Sequence, residues 1–323
     1  RSAELISGST LTIASGSSLT IAEGAVLTQS GLITNSGTLA VNGFLTNLSH
    51  LTNSGTITGL PQTGSEYVVR TPMDLQWLTL LFADENHGIS SVVLANDITM
   101  PEGVVFEPLG EVQNLTFDGQ GHTISGMTIE NAASYSGLFG NSEGTIKSFT
   151  LTGSITVTTN DVRSVAGVAG YMKNTQNAGG TISDVVCGVD ITVTATNTHH
   201  IGGIVGSLGQ SSSGMAMVER CLYTGTLTAS ESVDCQGGIA GYAQTAAIRD
   251  CGNQGDVTGT GKESPLGGIL GYCNSSDVSV TNCYNTGSVV KSDGTGQGAI
   301  IGMNNYNQAT VSNCYWLEGT ASA

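Results

Sequence analysis

The apolar positions of this chain follow two periods, and neither is helical. Over residues 1–59, Ile21, Leu27, Ile33, Leu39, Leu45, Leu51 and Ile57 fall six apart without a slip, with Gly31, Gly37, Gly43, Ser49 and Gly55 between them. Upstream, a Leu-Thr-Ile phrase at Leu11 returns at Leu19, an eight-residue step. A six-residue rung is too short for a helical period to persist, and it predicts a β-solenoid with short strands on each coil. The spacing leaves the handedness of residues 1–59 open.

The second period is longer. Gly137-Leu138-Phe139-Gly140 returns as Gly167-Val168-Ala169-Gly170, Gly203-Ile204-Val205-Gly206, Gly238-Ile239-Ala240-Gly241, Gly268-Ile269-Leu270-Gly271 and Ala299-Ile300-Ile301-Gly302. The closing glycines stand 30, 36, 35, 30 and 31 residues apart, the mark of stacked repeats. After each phrase come two apolar residues three apart: Ile146/Phe149, Ile182/Val185, Val218/Cys221, Ile248/Cys251, Val280/Cys283 and Val311/Cys314. Six beyond the second stand Ile155, Ile191, Leu227, Val257 and Val289. Each repeat thus supplies about three short strands, one coil of a right-handed parallel β-helix with neighbouring coils about 4.8 Å apart.

Between the two periods, Leu60-Pro61-Gln62-Thr63-Gly64 matches the sortase pentapeptide, but no apolar span and basic tail follow it. It reads as part of a Pro/Gly linker over residues 60–70. One helix is expected at 72–86, with Thr71 as N-cap, Pro72 at the first position, Asp74 completing a capping box and Gly88 as the stop. Leu75, Trp77, Leu78, Leu81 and Phe82 supply its apolar side, and it is assigned as a polar-backed lid on the N-terminal end of the second solenoid.

The Gly-Gly-Ile-x-Gly phrase followed by strands such as Val280-Thr281-Asn282-Cys283-Tyr284-Asn285-Thr286-Gly287 resembles the GLUG-motif repeat family over roughly residues 70–317. The resemblance implies a bacterial secreted or cell-surface protein of adhesin type. That repeat carries no catalytic residues, so none transfer to this chain.

Composition agrees with an all-β chain: 46 glycines, 5% aromatic and 11% charged residues leave little for long helices. Twenty-five acids against nine bases give a net charge of −16, which argues against a nucleic-acid partner. No apolar run is long enough to insert in a membrane. The chain opens at Arg1 without Met, as expected of a processed or trimmed form.

Candidate chemistry is sparse. Cys221, Cys251, Cys283 and Cys314 share a column with Phe149 and Val185, which predicts a buried ladder of reduced thiols, with Cys187 two positions on beside Leu151 and Tyr223. Cys235 and Cys273 lie near the glycine phrase. Stacking should set Glu219 beside Arg249 and Arg220 beside Asp250 as structural charge pairs. His199-His200 are read as surface turn residues, and Asp118 with His122 as flanks of a glycine turn. The acids are not spaced for Ca²⁺. No residue is therefore assigned a catalytic, cofactor-binding or metal-binding role.

The expectation is a non-catalytic surface or secreted adhesin-like protein that binds a glycan or a host or matrix protein, or serves as a rigid stalk. Its ligand would meet the longer insertions at 160–163, 174–180, 196–200 and 210–214. The competing class is a carbohydrate-active β-helix enzyme using Arg249 and Asp250. An ice-binding column of Thr28, Thr34, Thr46, Thr52 and Thr58, broken at Ala40, is a third possibility.

Overall fold

The computed structural model describes residues 2–58, 62–83, 88–174, 178–210, 214–230, 233–260, 264–292, 296–305 and 308–321. The fold is a parallel β-helix, built almost wholly from strands stacked coil on coil.

The six-residue period forms the first part. Three parallel sheets of three strands each make its sides: Ser2–Leu5, Val26–Gln29 and Phe44–Leu45; Thr10–Ile13, Leu32–Asn35 and Leu51–Asn53; Ser18–Ile21, Thr38–Val41 and Thr56–Thr58. Leu27 pairs with Leu45, Ile33 with Leu51 and Leu39 with Ile57, each 18 positions on, so three hexads close one coil. Ser2 pairs with Val26, 24 positions on, so the first coil has longer sides, and the Leu11–Leu19 step is one of them. The recurring glycines turn the corners. A Cβ on Gly37 would lie 2.3 Å from the Ser17 carbonyl oxygen of the coil below. The threonines proposed as one ice-binding column divide over the three sides, with Thr34 over Thr52 and Ala40 over Thr58. Thr46 is buried, its hydroxyl accepting from Gln29 N at 3.0 Å.

Residues 59–61 lie outside the described part of the chain. Glu66–Val69, expected in the linker, is instead a strand of the large sheet, paired with Ser91–Leu94. Helix α1 runs Pro72–Leu81 and starts as the sequence indicates: Asp74 N donates to Thr71 Oγ1 at 3.1 Å and Thr71 N to Asp74 Oδ2 at 3.0 Å. It stops before the expected 86, with Phe82 N bonded to Leu78 O, and residues 84–87 lie outside the description. Its placement also differs from a lid. On one side α1 meets Phe44–Leu45 and the 3₁₀ turn Leu48–His50 of the first solenoid; on the other it meets Glu66–Val69 and Leu109–Val112 of the second. Met73, Leu75, Gln76, Trp77 and Leu78 are all buried. None of its ten residues is exposed, and packed on both sides in this way α1 is a plug between two solenoids. Leu45 N donates to Met73 Sδ across the junction.

The long period forms the second part. Its large sheet stacks the segments Thr145–Val157, Thr181–Val193, then Ala216–Glu219, Leu222–Tyr223 and Leu227–Ala229, and onward. Ile146, Ile182, Val218, Ile248, Val280 and Val311 are in register, as are Ile155, Ile191, Leu227, Val257 and Val289. A seven-stranded sheet runs from Leu109–Val112 to Ile301–Asn304, and its last six strands, from Phe139–Ser142 on, each begin at the third residue of a glycine phrase. A five-stranded sheet precedes the phrase, from Ser164–Ala166 to Gln297–Gly298. The phrase itself is the corner between these two sheets.

Its first glycine faces a core side chain from the large sheet. A Cβ on Gly167 would lie 2.4 Å from Cys187 Sγ, on Gly203 2.4 Å from the Tyr223 ring, and on Gly238 and Gly268 2.5 Å from the Asn253 and Asn285 amides. Asn253 and Asn285 are fully buried yet satisfied: Asn253 Nδ2 donates to Asn285 Oδ1 at 2.7 Å, and each amide bonds a glycine carbonyl two residues on. In the last rung Ala299 replaces the glycine, and Trp316, next in the Asn285 column, stands 60% exposed.

Candidate functional site

The residues nominated for chemistry are largely absorbed by the fold. All seven cysteines are free thiols, six of them buried. Cys251 lies between Cys221 and Cys283, and its Sγ donates to Val218 O of the coil below. Burial raises the thiols of Cys187 (to about 12), Cys235, Cys273 and Cys314, so they stay protonated and poorly nucleophilic at neutral pH.

The charge pairs form with one exchange. Arg249 Nε donates to Glu219 Oε2 at 2.6 Å, as stacking suggested. Arg220 turns the other way, to a two-pronged bond with Asp184 at 2.7 and 2.9 Å, which holds the Asp184 carboxyl below its usual range. Asp250 instead accepts from Asn282 at 2.9 Å. All these kinks share one left-handed column: Ser148, Asp184, Arg220, Asp250, Asn282 and Asn313 have φ between 51° and 62°. Asp118 pairs with Lys147 at 3.1 Å, and His122 with Asp97 at 3.1 Å, so those two do not meet as an acid/base pair. Among the described residues no group of three or more His, Cys, Asp or Glu side chains could hold a metal ion, and no helix is long and apolar enough to cross a membrane.

A groove that sequence reasoning did not assemble runs along the corner of the five- and seven-stranded sheets. Each rung brings two residues seven apart to this corner: Ser164 with Tyr171, His200 with Ser207, Cys235 with Tyr242, and Pro265 with Tyr272. One partner is small and the other aromatic. In the second of these rungs the roles are exchanged, so that His200 supplies the ring where Ser207 replaces a tyrosine. The exchange moves the ring to the other side of the corner and leaves a small hydroxyl in the tyrosine column. His200 stacks on Tyr242 with centroids 4.6 Å apart, Tyr242 on Tyr272 at 5.9 Å, and Tyr171 on Tyr135 at 6.0 Å.

Amides edge this stripe. The Tyr171 hydroxyl donates to Gln210 Oε1 at 3.0 Å, that of Tyr242 to Gln244 Oε1 at 3.2 Å, and Asn274 Nδ2 donates to the Tyr242 oxygen at 3.2 Å. Two cavities open along it and share His200 and Tyr242. One of about 220 Å³ lies between Tyr135, Tyr171 and His200; one of about 390 Å³ lies toward Tyr272 and Met303. The nominated insertions converge here. Residues 160–163 bring Arg163, 196–200 bring His199 and His200, and 210–214 bring Gln210. Asn174, at the start of 174–180, holds Gln210 N at 2.9 Å; residues 175–177 and 211–213 lie outside the description.

His199 and His200 lie on the strand Thr198–Gly202, not on a turn. They divide as alternation on a strand requires. His199 pairs outward with Asp234, while His200 Nδ1 meets Ser207 Oγ at 2.7 Å, and Ser207 Oγ meets the buried Ser164 Oγ at 2.7 Å. A serine, a histidine and an acid are thus neighbours, but the acid is bonded to the other imidazole and the serine is buried. The relay of a hydrolytic triad, in which one imidazole joins acid and hydroxyl, is not assembled here.

No family model and no curated protein matches this chain. Among solved structures it is similar to the crystal structure of a protein titled a putative immunoglobulin A1 protease from Bacteroides ovatus, with a TM-score of 0.60 and 19% identity over 81% of this chain and 78% of that one. The likeness is one of fold.

The groove carries its own titration. Burial, with the positive charges of His199 and Arg163 beside it, pushes the His200 imidazole down to about 4, against a nearby Asp234 that pulls it up. The unfolded chain takes this proton near 6.5 and the folded one only near 4, so between those values the unfolded state binds more protons. Falling pH from 6.5 to 4 should therefore cost about 2 kcal/mol of stability through this group alone. Imidazole shifts followed by NMR should place its midpoint near 4, and His200→Gln should remove that part of the pH dependence. A midpoint near 6.5 would show that the ring is not held neutral against Tyr242.

Proposed function

We propose that this chain is a non-catalytic binding protein of adhesin type, secreted or displayed on a bacterial surface, which lays an extended glycan or protein ligand along the groove. The observation that carries the reading is the aromatic stripe Tyr135, Tyr171, His200, Tyr242 and Tyr272 with its amide edge of Gln210, Gln244 and Asn274. Aromatic rings offer apolar contact to the C–H surface of a sugar or to a side chain, and carboxamides offer both donors and acceptors to hydroxyls or to a peptide backbone. A rigid stack of rungs holds these groups without reorganisation, which lowers the entropic cost of binding a long ligand. The GLUG-like repeat pattern supports the same class.

The test is an array of glycans and matrix proteins probed with the intact chain, with immunoglobulin A1 added because of the name its structural neighbour bears. Binding that falls at least about tenfold in Tyr242→Ala supports the groove. Silence on the whole array would favour a stalk, and cleavage of immunoglobulin A1 or depolymerisation of any glycan would overturn the non-catalytic reading.

A further inference from the structure

We propose that the gap between Tyr171 and His200 is a subsite for one terminal acidic monosaccharide, a pyranose bearing a carboxylate. This rests on reading the groove as a glycan site and adds its specificity. The aromatic stripe is continuous on either side of this point, Tyr135 on Tyr171 and His200 through Tyr242 to Tyr272. The rung of His200 carries Ser207 in the tyrosine column, beside Tyr171 of the rung before, and the cavity of about 220 Å³ opens there. One ring can enter it, with the Ser164–Ser207 hydroxyl pair at its base and the Gln210 and Gln244 amides at its edge.

Arg163 decides the charge. Of the nine bases, Lys147, Lys173, Arg220 and Arg249 are neutralised by Asp118, Glu111, Asp184 and Glu219. Arg163 lines the gap, is exposed, and makes no ion pair among the described residues, while its charge is felt at His200. The acids of this region are engaged elsewhere or act elsewhere: Asp161, two residues before Arg163, accepts from Asn197 at 3.1 Å, Asp234 is held by His199, and the charge of Glu143 acts on Tyr171. A free guanidinium at the edge of a ring-sized gap presents a planar fork that matches a carboxylate. A net charge of −16 repels a polyanion as a whole, so a single acid at a chain end suits this site better than a run of them.

Methyl glucuronide and methyl glucoside differ by one carboxylate and isolate the point. Titrated against the intact chain by NMR, the glucuronide should bind about tenfold tighter at low salt. The preference should vanish in Arg163→Gln with the glucoside unchanged, and both sugars should weaken in Tyr171→Ala. Equal affinities in the parent chain, or a preference that survives Arg163→Gln, would overturn the acidic subsite. If that happens while array binding still depends on Tyr242, the subsite alone falls; if the array is silent too, the groove reading falls with it.

Discussion

Replacing Gly238 with alanine should destabilise the protein by roughly 3–4 kcal/mol, a large effect for one methyl group. The added Cβ would lie 2.3 Å from the Gly268 carbonyl oxygen and 2.5 Å from Asn253 Cγ. The first is backbone of the next rung and belongs to the stack itself, since Gly238 N is bonded to Gly267 O at 3.1 Å. The second is a fully buried amide whose own bonds to Asn285 and Gly255 would have to break for it to withdraw. Neither neighbour can give way cheaply. The ordinary effect of Gly→Ala has the opposite sign, because it removes freedom from the unfolded chain. Gly110 supplies the control: it lies on a strand with nothing within 4 Å of the added Cβ, so Gly110→Ala should be neutral or slightly stabilising. Urea midpoints of the two variants check this. A Gly238→Ala midpoint within error of the parent would mean that the corner is looser than its geometry.

The same corner shows why so much of the fold was legible and so little of the site. In a solenoid a sequence period becomes a spatial register, so columns such as Ile146 through Val311 could be read off before any coordinates. The pairing of Arg220 could not. Every column member has a neighbour above and another below, and a long side chain at φ 51° reaches either one. Asp184 offers both its oxygens, while Asp250 is engaged by Asn282. The groove was out of reach for a different reason: which residues line an outer corner depends on where the coil bends. The signal was nonetheless present. Tyr171, Tyr242 and Tyr272 each follow the closing glycine of a phrase, and the repeat that has Ser207 there has His200 seven residues earlier. This exchange of ring and hydroxyl is a property of the rungs taken together and is invisible in either histidine alone. Helix α1 carries a parallel lesson, since Met73, Leu75, Trp77, Leu78 and Leu80 leave little polar back for a lid.

That helix gives the other large expected effect. Leu78 is fully buried on α1, the helix that meets the Phe44–Leu45 end of the first solenoid and Glu66–Val69 of the second. Leu78→Ala removes three carbons from a fully buried position on a helix packed on both sides, and should cost about 3–4 kcal/mol. The loss should not be shared evenly. The first solenoid has only three coils, too few residues to bury a self-sufficient core, and it leans on α1 and on the link from Glu107 to the Leu48–His50 turn. Burial lifts the Glu107 carboxyl above its usual range, and His50 with the Ser49 and Leu48 amides offsets this only in part, so the link is a weak second tie. The second solenoid is longer and is held rung by rung, so the loss of one terminal contact should barely reach its middle. Amide exchange in Leu78→Ala should therefore accelerate over residues 2–58 while Thr181–Val193 keeps its protection, and melting should separate into two steps. Leu80, only partly buried on the same helix, should cost about 1 kcal/mol when cut to alanine and leave a single transition. Uniform acceleration along the whole chain would mean that the two solenoids unfold as one unit and that α1 is a rung among others, not the joint on which the first solenoid depends.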